Sequence, residues 1–299
     1  MAREPSVAAG GLFCILVDLG LWAVKIRDAC VRLASEEEKA LVLNIGFGLM
    51  EQVADISRRA GREIMKIYES GFTVTAKKDS SPVTEADNAA EELIIRSIGE
   101  GVSGKFPIVS EEAFAAGRVP TLTDGPFWLV DPLDGTKEFI SRNGEFTVNI
   151  ALIENGAPIL GVVHAPALGA TYSGMRDGAF VQMKDSPRRP IACRPMPKAG
   201  LVALVSRSHL TPEVGEYLRK FDIAKEISAG SSLKFCRLAE GHADIYPRLG
   251  RTMEWDTAAG QAVVQFAGGS VCDLDGAPLR YGKAGAENPH FVAKGAPTE

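Results

Sequence analysis

The stretch FWLVDPLDGT, from Phe127 to Thr136, constrains the fold more than any other part of the chain. Its apolar beginning, Phe127–Val130, is short, continuous and aromatic or β-branched in character, which predicts a buried strand. Pro132 has no amide hydrogen and restricts the residue before it to an extended shape, so we expect the strand to end there. Two carboxylates, Asp131 and Asp134, are then predicted on a tight turn at the end of a buried strand.

The residues around this turn suit a divalent metal and a phosphate. Thr136 can open a helix whose first amide groups face an anion, and Gly135 permits a positive φ or a close backbone approach. Carboxylates beside such amides suit a divalent cation together with a phosphate. Taken alone, however, an Asp-x-x-Asp pair is more often turn and cap chemistry. The positions of the other acids in the chain distinguish a metal site from ordinary turn and cap chemistry.

Composition limits the classes of function. The chain has 299 residues, 45% hydrophobic and 24% charged, which predicts a globular protein with a large core and two domains. Its net charge of −5 disfavours a nonspecific nucleic-acid binder. A small anionic substrate stays open, because a bound cation reverses the local potential. The five cysteines are scattered without a C-x-x-C pair, which is typical of reduced, buried thiols in a cytosolic protein.

The chain is predicted to have three parts. Residues 1–49 form an appended N-terminal segment whose fold the sequence does not specify, and the functional domain begins near Met50. The apolar stretch 11–26 in this segment carries two charges and is too short for a membrane span. Residues 50–184 are expected to form an N-terminal α+β metal-binding domain. Residues 185–299 are expected to form a C-terminal α/β domain that completes the active site.

The two large parts differ in the order of their elements. Helical spacing of apolar residues predicts helices over 50–70 and 84–98, followed by a mostly antiparallel sheet up to residue 183. The proline-containing segment 185–197 marks the boundary. Strands and helices alternate beyond it, which indicates an α/β layer. The sequence contains no Walker A loop and no dinucleotide-binding fingerprint.

Two further positions place acids at the ends of elements. Thr84 is a good N-cap and Asp87 stands at the third helical position, which predicts something close to a capping box. Helix capping is the ordinary role for Asp87, and activation of a water is the functional alternative. Glu111 and Glu112 follow the predicted strand 106–110 directly, where they either belong to a site or lie in a solvated loop.

Acids that follow strands or open helices now number four: Glu111, Asp131, Asp134 and Asp256. All are hard oxygen donors without a histidine or cysteine cluster, a donor set that selects Mg²⁺ or Mn²⁺ over Zn²⁺. Neighbouring carboxylates repel one another, and bound cations remove that penalty. No serine or cysteine has a convincing neighbouring histidine, so a metal-activated water is the expected nucleophile.

Three motifs together resemble the inositol monophosphatase superfamily of magnesium-dependent, lithium-sensitive phosphatases: Glu111-Glu112, Asp131–Thr136 and Trp255–Gly260. The resemblance covers residues 50–299 and implies a layered αβαβα sandwich of the inositol monophosphatase and fructose-1,6-bisphosphatase type. It also implies two or three Mg²⁺ ions, with Mn²⁺ as an alternative. The implied metal ligands are Glu111, Asp131, the Leu133 carbonyl, Asp134 and Asp256. The residues implied to position the attacking water are Asp87, Thr136 and Glu111.

The segments around these motifs are similar to those of the bacterial 3′(2′),5′-bisphosphate nucleotidases: Lys137–Ile140, Ser206–His209, Gly230–Phe235 and Tyr246–Arg248. This similarity implies hydrolysis of adenosine 3′,5′-bisphosphate to AMP and phosphate, in sulfur assimilation or nucleotide recycling. The implied substrate-binding residues are Glu111, Leu133, Asp134, Gly135, Thr136, His209, Ser231, Lys234, Arg248 and Asp256. Of these, Ser231, Lys234 and Arg248 would bind the retained phosphate, and His209 would lie near the nucleoside.

The residues themselves give partial support to that subsite. A helix N-terminus expected at Gly230–Ser232, with Lys234 and Arg248, makes an anion site. Ordinary surface charge is the alternative for both cations, because such side chains are mostly exposed.

Other functions stay open at this point. An inositol or other sugar phosphatase would have the same architecture, and a non-catalytic nucleotide-binding protein would keep the fold. A pure binder has no need of Asp87 and Thr136 together, which argues against the second alternative. The expected partner is a small nucleotide bisphosphate, with no nucleic acid and no transmembrane segment. The expected location is the cytoplasm, with peripheral association with the inner membrane open, and the sequence does not give the oligomeric state.

Overall fold

The computed structural model describes residues 46–76, 82–103, 106–208 and 211–298. Residues from Gly46 onward form one compact unit. The predictions for residues 1–45 and for His209 lie outside the described residues. The division into domains at residue 184 stays a prediction.

A seven-stranded sheet is the larger of the two main sheets. Its strands are antiparallel neighbours except for the first pair, which is parallel. The prediction of a mostly antiparallel sheet is therefore confirmed. The strands, in their order across the sheet, are β3 (Ile108–Ser110), β4 (Phe127–Asp134), β5 (Thr147–Glu154), β6 (Ala157–Ala165), β7 (Ala170–Met175), β8 (Gly178–Met183) and β9 (Arg189–Ile191).

A five-stranded mixed sheet follows along the chain. Its strands lie in the order β11 (Ile223–Ala229), β10 (Leu201–Ser206), β12 (Ile245–Arg248), β14 (Phe291–Lys294) and β13 (Ser270–Asp273). Strand β10 runs parallel to both of its neighbours, whereas β14 is antiparallel to both of its own. The sequence analysis did not predict β14, which enters the sheet between two strands that precede it in the chain.

Helices cover both faces of each sheet and complete the layers. The longer helices are α1 (Phe47–Ser70), α2 (Glu85–Ile98) and α7 (Glu254–Phe266), and the shorter ones are α3 (Glu111–Ala115), α4 (Thr136–Ile140), α5 (Pro212–Leu218) and α6 (Leu233–Ala239). Three minor elements are a hairpin of β1 (Val74–Ala76) and β2 (Pro82–Thr84), a π-helical turn (Gly99–Ser103) and a 3₁₀ turn (Pro166–Leu168).

The order of layers follows from which helices contact which sheet. Helices α1 and α2 pack on one face of the seven-stranded sheet, and α7 packs on its other face against β4 to β8. Helix α6 contacts both α7 and the five-stranded sheet, and α5 contacts β12. The layers are therefore helix, sheet, helix, sheet, helix, which confirms the predicted αβαβα sandwich.

Two glycines let α7 approach the seven-stranded sheet at backbone distance. A methyl group at Gly161 on β6 would lie 2.6 Å from the carbonyl oxygen of Ala259. A methyl group at Gly174 on β7 would lie 2.5 Å from the carbonyl oxygen of Ala262. Neither distance is possible for a real side chain, so only glycine fits at these positions. The helix that begins beside Asp256 is thereby held directly against the sheet.

The prediction that β4 ends at Pro132 is wrong. Asp131 pairs with Asn149 and Asp134 pairs with Thr147, so β4 has one residue more than β5 between these two pairs. A β-bulge of this kind accommodates a proline, because the bulged residue has no partner in the ladder. The strand therefore continues to Asp134, and both carboxylates stand on it rather than on a turn beyond it.

Candidate active site

All but two of the predicted site residues line one cavity of about 1260 Å³. This volume exceeds the roughly 300–1,000 Å³ that is typical of small-molecule sites. One exception is His209, which lies outside the described residues. The other is Asp87, which is fully buried and contacts the cavity wall through Thr136. The residues that line the cavity are Glu111, Asp131, Leu133, Asp134, Gly135, Thr136, Ser231, Lys234, Arg248 and Asp256.

Asp87 combines the two roles that the sequence left open. The amide and the hydroxyl of Thr84 both donate to its Oδ2 at 2.8 Å, which completes a capping box at the start of α2. Its other oxygen, Oδ1, accepts a hydrogen bond of 3.3 Å from the hydroxyl of Thr136. Helix capping by one carboxylate oxygen therefore leaves the second oxygen beside Thr136.

The bulged end of β4 and the start of α4 together contain the motif Asp131–Thr136. Gly135 has a φ of 91°, a left-handed conformation that glycine adopts without strain, and Thr136 opens α4 as predicted. The Leu133 amide donates to Asp131 Oδ1 at 3.0 Å, across the bulge. The carboxylate of Asp131 is thus oriented by the backbone of the motif itself.

Asp134 is held from a distant part of the chain. The amide of Ser232 donates to its Oδ2 at 2.7 Å, and the Ser232 hydroxyl lies 2.9 Å from the same oxygen. Asn149 on β5 donates to that oxygen at 3.3 Å. The Ser232 hydroxyl also lies 3.0 Å from the carbonyl oxygen of Asp256. Ser232 therefore joins β4 to the start of α7.

Glu111 and Glu112 open the short helix α3, so the interpretation of a solvated loop is wrong. Glu112 is buried, and Glu111 is partly exposed towards the cavity. The buried carboxylate of Glu91 on α2 accepts hydrogen bonds from the amides of Glu112 at 3.0 Å and Ala113 at 3.1 Å. Glu91 thereby caps α3. The sequence analysis missed Glu91, although it stands one helical turn after Asp87.

The acids of the cavity form a buried cluster of like charge. Burial raises the pKa of Asp256 to about 8, with a further contribution from the charges of Asp134 and Glu111. Burial also raises the pKa of Asp134, although Lys234 and Ser232 oppose this change. A cation bound among these groups would stabilise their charged forms.

The donor set fits a hard divalent cation, because it consists of carboxylate and carbonyl oxygens. The carboxylates of Asp131, Asp134 and Asp256 are meanwhile oriented by hydrogen bonds: that of Asp256, for example, accepts one of 2.8 Å from the Met253 amide. Among the residues that the structure describes, no three acidic, histidine or cysteine side chains converge as a ready-made metal site. The set of metal ligands therefore stays a prediction.

Lys234 lines the cavity but is not a surface charge, so that alternative is wrong for this residue. Its side chain is 4% exposed, and its ammonium donates to the carbonyl oxygens of Ser231 at 2.6 Å and Ala229 at 3.2 Å. The ammonium also lies 5.4 Å from the centre of the Tyr246 ring. Burial lowers the pKa of Lys234 to about 8, against the opposing effect of Asp134.

Arg248 is another cation that lines the cavity. Its Nη2 donates to the carbonyl oxygen of Arg251 at 3.1 Å. Its Nε is buried and has no hydrogen-bond partner among the described residues. Buried donors of a guanidinium are normally paired, so this atom indicates an anionic ligand at the cavity wall.

The predicted helix N-terminus at Gly230–Ser232 is present, with Ser232 as the N-cap of α6, but two of its amides are already paired. Helix α6 begins at Leu233, and Ser231 lies in a turn with a φ of 40°. The amides of this turn are occupied by the protein's own acids: Gly230 donates to Glu145 at 2.7 Å, and Ser232 donates to Asp134. The residues before α6 therefore bind carboxylates with these two amides rather than a phosphate.

Polar residues on β5 lie behind the cavity wall and bond to residues that line it, and they were not predicted from the sequence. The Thr147 hydroxyl lies 3.1 Å from Asn149 Oδ1 and 3.2 Å from the Ser231 hydroxyl. Asn149 in turn donates to the Ser232 hydroxyl at 2.9 Å. Both residues are buried, and they stand two positions apart in an otherwise apolar strand. Polar side chains at alternate positions of a buried strand were the signal that could have found them.

A sequence profile described as "Inositol monophosphatase family" matches residues 49–295. The chain belongs to this family. Members of the family are metal-dependent phosphatases. Two relatives are named 3′(2′),5′-bisphosphate nucleotidase CysQ. The protein from Escherichia coli O157:H7 is 46% identical over 235 residues, covering 78% of this chain and 94% of the relative. The protein from Buchnera aphidicola is 43% identical over 240 residues, covering 80% and 89%.

Solved structures of the family have the same fold. CysQ from Bacteroides thetaiotaomicron is 37% identical with a TM-score of 0.69, covering 84% of this chain and 99% of that structure. The IMPase from Thermotoga maritima is 27% identical with a TM-score of 0.67, covering 81% and 89%. Within the described ranges, none of the helices combines the length and apolar character that crossing a membrane requires.

Proposed function

We propose that this protein is a Mg²⁺-dependent 3′(2′),5′-bisphosphate nucleotidase that converts adenosine 3′,5′-bisphosphate into AMP and phosphate. One observation carries the proposal: a single cavity is lined by four acids that suit a metal centre and by several cations, of which Lys234 is buried and Arg248 has a buried donor without a partner among the described residues. The relatives named CysQ support it through their identity over most of the chain. A role in sulfur assimilation or nucleotide recycling, in the cytoplasm, would follow from this substrate.

Lys234 and Arg248 favour a substrate with two phosphates. A phosphate that undergoes hydrolysis would be held on the acidic side, through metal ions. Lys234 is buried, and Arg248 has a buried donor without a partner among the described residues, so both are costly to leave without an anion. A second, retained phosphate would pair with them. An inositol monophosphate has no such group.

Glu111, Asp131, the Leu133 carbonyl, Asp134 and Asp256 would hold the metal ions, two or three Mg²⁺ or alternatively Mn²⁺. Such ions supply Lewis acidity and a lowered pKa of water when bound. The acids in turn fix the position of the 3′-phosphate relative to the rest of the substrate.

Asp87 and Thr136, with Glu111, would position the attacking water. Asp87 Oδ1 lies 3.3 Å from the Thr136 hydroxyl, and Thr136 lines the cavity. The water oxygen forms a bond to phosphorus, and the bond from phosphorus to the 3′-oxygen breaks. Asp87 accepts one proton of the water through Thr136, and the leaving 3′-oxygen takes a proton from solvent water to give AMP, after which Asp87 returns its proton to solvent.

The remaining residues would select the nucleotide. Ser231, Lys234 and Arg248 would bind the retained 5′-phosphate, since all three line the cavity. Gly135 permits a close approach of the substrate to the start of α4. The prediction that His209 lies near the nucleoside concerns a residue outside the described ranges.

An inositol or other sugar phosphatase is the second candidate, because the similar solved structures include the Thermotoga maritima IMPase. A phosphate-release panel distinguishes the candidates. Purified protein is incubated with adenosine 3′,5′-bisphosphate, inositol 1-phosphate or fructose 1,6-bisphosphate, with Mg²⁺ or with EDTA. We expect Mg²⁺-dependent release that is fastest with the bisphosphate nucleotide and is inhibited by Li⁺. Faster release from inositol 1-phosphate would replace the proposal by the second candidate.

A further inference from the structure

Two carboxylates from the connection between β4 and β5 reach loops of the other sheet. Glu145 accepts two hydrogen bonds from the Arg207 guanidinium, at 2.7 Å from Nε and 2.8 Å from Nη2. It also accepts one of 2.7 Å from the Gly230 amide. Arg207 follows β10 and Gly230 follows β11, at the carboxyl ends of two adjacent parallel strands. We call Glu138, Glu145 and Arg207 the carboxylate clamp.

Glu138, on α4, is the second acid of this group. Its side chain is buried, and its Oε1 accepts a hydrogen bond of 2.5 Å from the Ser208 hydroxyl. Gly230 lies directly against it: a methyl group there would be 2.6 Å from Glu138 Cγ and 2.8 Å from the Glu145 carbonyl oxygen. The turn after β11 therefore fits against the clamp without room for a side chain.

The same turn orients Lys234. The Lys234 ammonium donates to the carbonyl oxygens of Ala229 and Ser231, on either side of Gly230. Arg207 adds a hydrogen bond of 3.3 Å from its amide to Ala229 and one of 3.3 Å from Nη2 to the Ser228 carbonyl oxygen. Contacts of the clamp thus fix the backbone that holds the ammonium group.

The clamp is charged and part of it is shielded from water. Partial burial raises the pKa of Glu145, but the hydrogen bonds from Arg207 and Gly230 outweigh it and keep the pKa below its ordinary value. Both Glu138 and Glu145 favour the protonated form of Lys234 through their charges. The acids of the clamp therefore act on Lys234 through geometry and through charge.

We propose that Glu138, Glu145 and Arg207 are positioning residues that set the affinity for the phosphate which the substrate retains. They act through the turn around Gly230, which places the ammonium group of Lys234. This inference rests on the proposed function, since it assigns Lys234 to the retained phosphate. No described hydrogen bond joins the clamp directly to Asp134 or Asp256, although the Ser232 amide links the turn to Asp134. We therefore expect the larger effect of the clamp on KM and a smaller one on kcat.

The decisive variant is Glu145→Gln, which keeps the size of the side chain and removes its charge. We expect KM for adenosine 3′,5′-bisphosphate to rise about tenfold, the loss that corresponds to one charge-assisted hydrogen bond, with little change in kcat. Adenosine 3′-monophosphate lacks the retained phosphate, so its kcat/KM should be unchanged. Equal losses for both substrates, or an unchanged KM for the bisphosphate, would overturn the inference.

Two further variants guard against a merely structural effect. Arg207→Lys keeps the charge but loses the two-pronged contact, and we expect the same change in KM at a smaller size. Gly230→Ala displaces the turn from the clamp and should reproduce the full increase. Should Glu145→Gln not fold by circular dichroism, Arg207→Lys decides, and an unchanged KM for that variant contradicts the inference. The control is Glu51→Gln, a carboxylate that binds Arg58 and Arg188 away from the cavity and should leave KM unchanged.

Calorimetric titration with AMP separates this inference from the proposed function. AMP carries the retained phosphate but no phosphate to hydrolyse, so its binding does not depend on turnover. If the wild-type protein failed to hydrolyse the bisphosphate, the proposed function would fail. Weaker AMP binding by Glu145→Gln, with Glu51→Gln unaffected, would still support the clamp. AMP affinity that is equal in all variants would reject it.

Discussion

The acidic and the basic sides of the cavity are built in different ways. Two of the acids that we propose as metal ligands are oriented by amides two or three residues away in sequence: Leu133 donates to Asp131, and Met253 donates to Asp256. Lys234 depends instead on a turn that is held by residues of the other sheet, across sequence separations such as the 62 residues between Glu145 and Arg207. The chemical step therefore depends on residues that are close in sequence, whereas the choice of substrate depends on contacts between the two sheets.

Asp134 is where the two sides join, since it belongs to the acidic set but is held by Ser232, 98 residues away. We expect Asp134→Asn to lower kcat by orders of magnitude, the largest effect of any single change considered, because a metal-binding charge is lost. Phosphate release by the purified variant measures this, and circular dichroism and thermal unfolding confirm that it is folded. Near-normal turnover in a folded variant would remove Asp134 from the metal centre.

Substitutions of Asp87 and Thr84 test whether helix capping and catalysis by Asp87 can be separated. Asp87→Asn keeps a cap acceptor but loses the charge, so we expect kcat to fall by about 10²–10⁴-fold, the usual contribution of a general base. Thr84→Ala is the matched control: it removes the capping hydroxyl and should lower the free energy of unfolding by about 1 kcal/mol with kcat largely retained. If both variants lost stability alone, Asp87 would be only a cap.

On the basic side, Lys234→Ala should raise KM for the bisphosphate by about 10- to 100-fold, which corresponds to one hydrogen bond to a charged group. kcat should change much less, because the acids of the metal centre remain. Initial rates over a range of substrate concentrations give both constants. A loss confined to kcat would place Lys234 in the chemical step. The acidic and basic sides of the cavity would then no longer differ in function.

The smallest effect is expected from pH. Burial lowers the pKa of Lys234 to about 8, so the ammonium is charged below this value and loses its charge as the pH rises through it. KM for the bisphosphate should therefore rise by up to about tenfold between about pH 7 and pH 9. Lys234→Arg stays charged throughout and should remove the dependence. A rise in KM that persists in Lys234→Arg would assign the titration to another group.

The difference between contacts of sequence neighbours and contacts of distant residues explains which features could be predicted from the sequence. The capping box at Thr84 and Asp87 and the helix that begins at Thr136 were predicted correctly, because their geometry depends on neighbours in the chain. The bulge in β4 was missed, since its register depends on β5. The role of the turn before α6 was also missed, because Glu145 and Asp134 occupy its amides from afar. Burial of Lys234 likewise depends on packing between layers.

The close contact of α7 with Gly161 and Gly174 limits how the substrate preference of this protein can be changed. A single methyl group added at Gly161 or Gly174 would push α7 away from the sheet. Asp256, near the start of this helix, therefore cannot be shifted gradually by substitutions at these positions. A new substrate preference is therefore expected to come from the loops that follow β10 and β11, apart from Gly230, which has no room for a side chain. A library for directed evolution should vary those loops and leave Gly161, Gly174 and Gly230 unchanged.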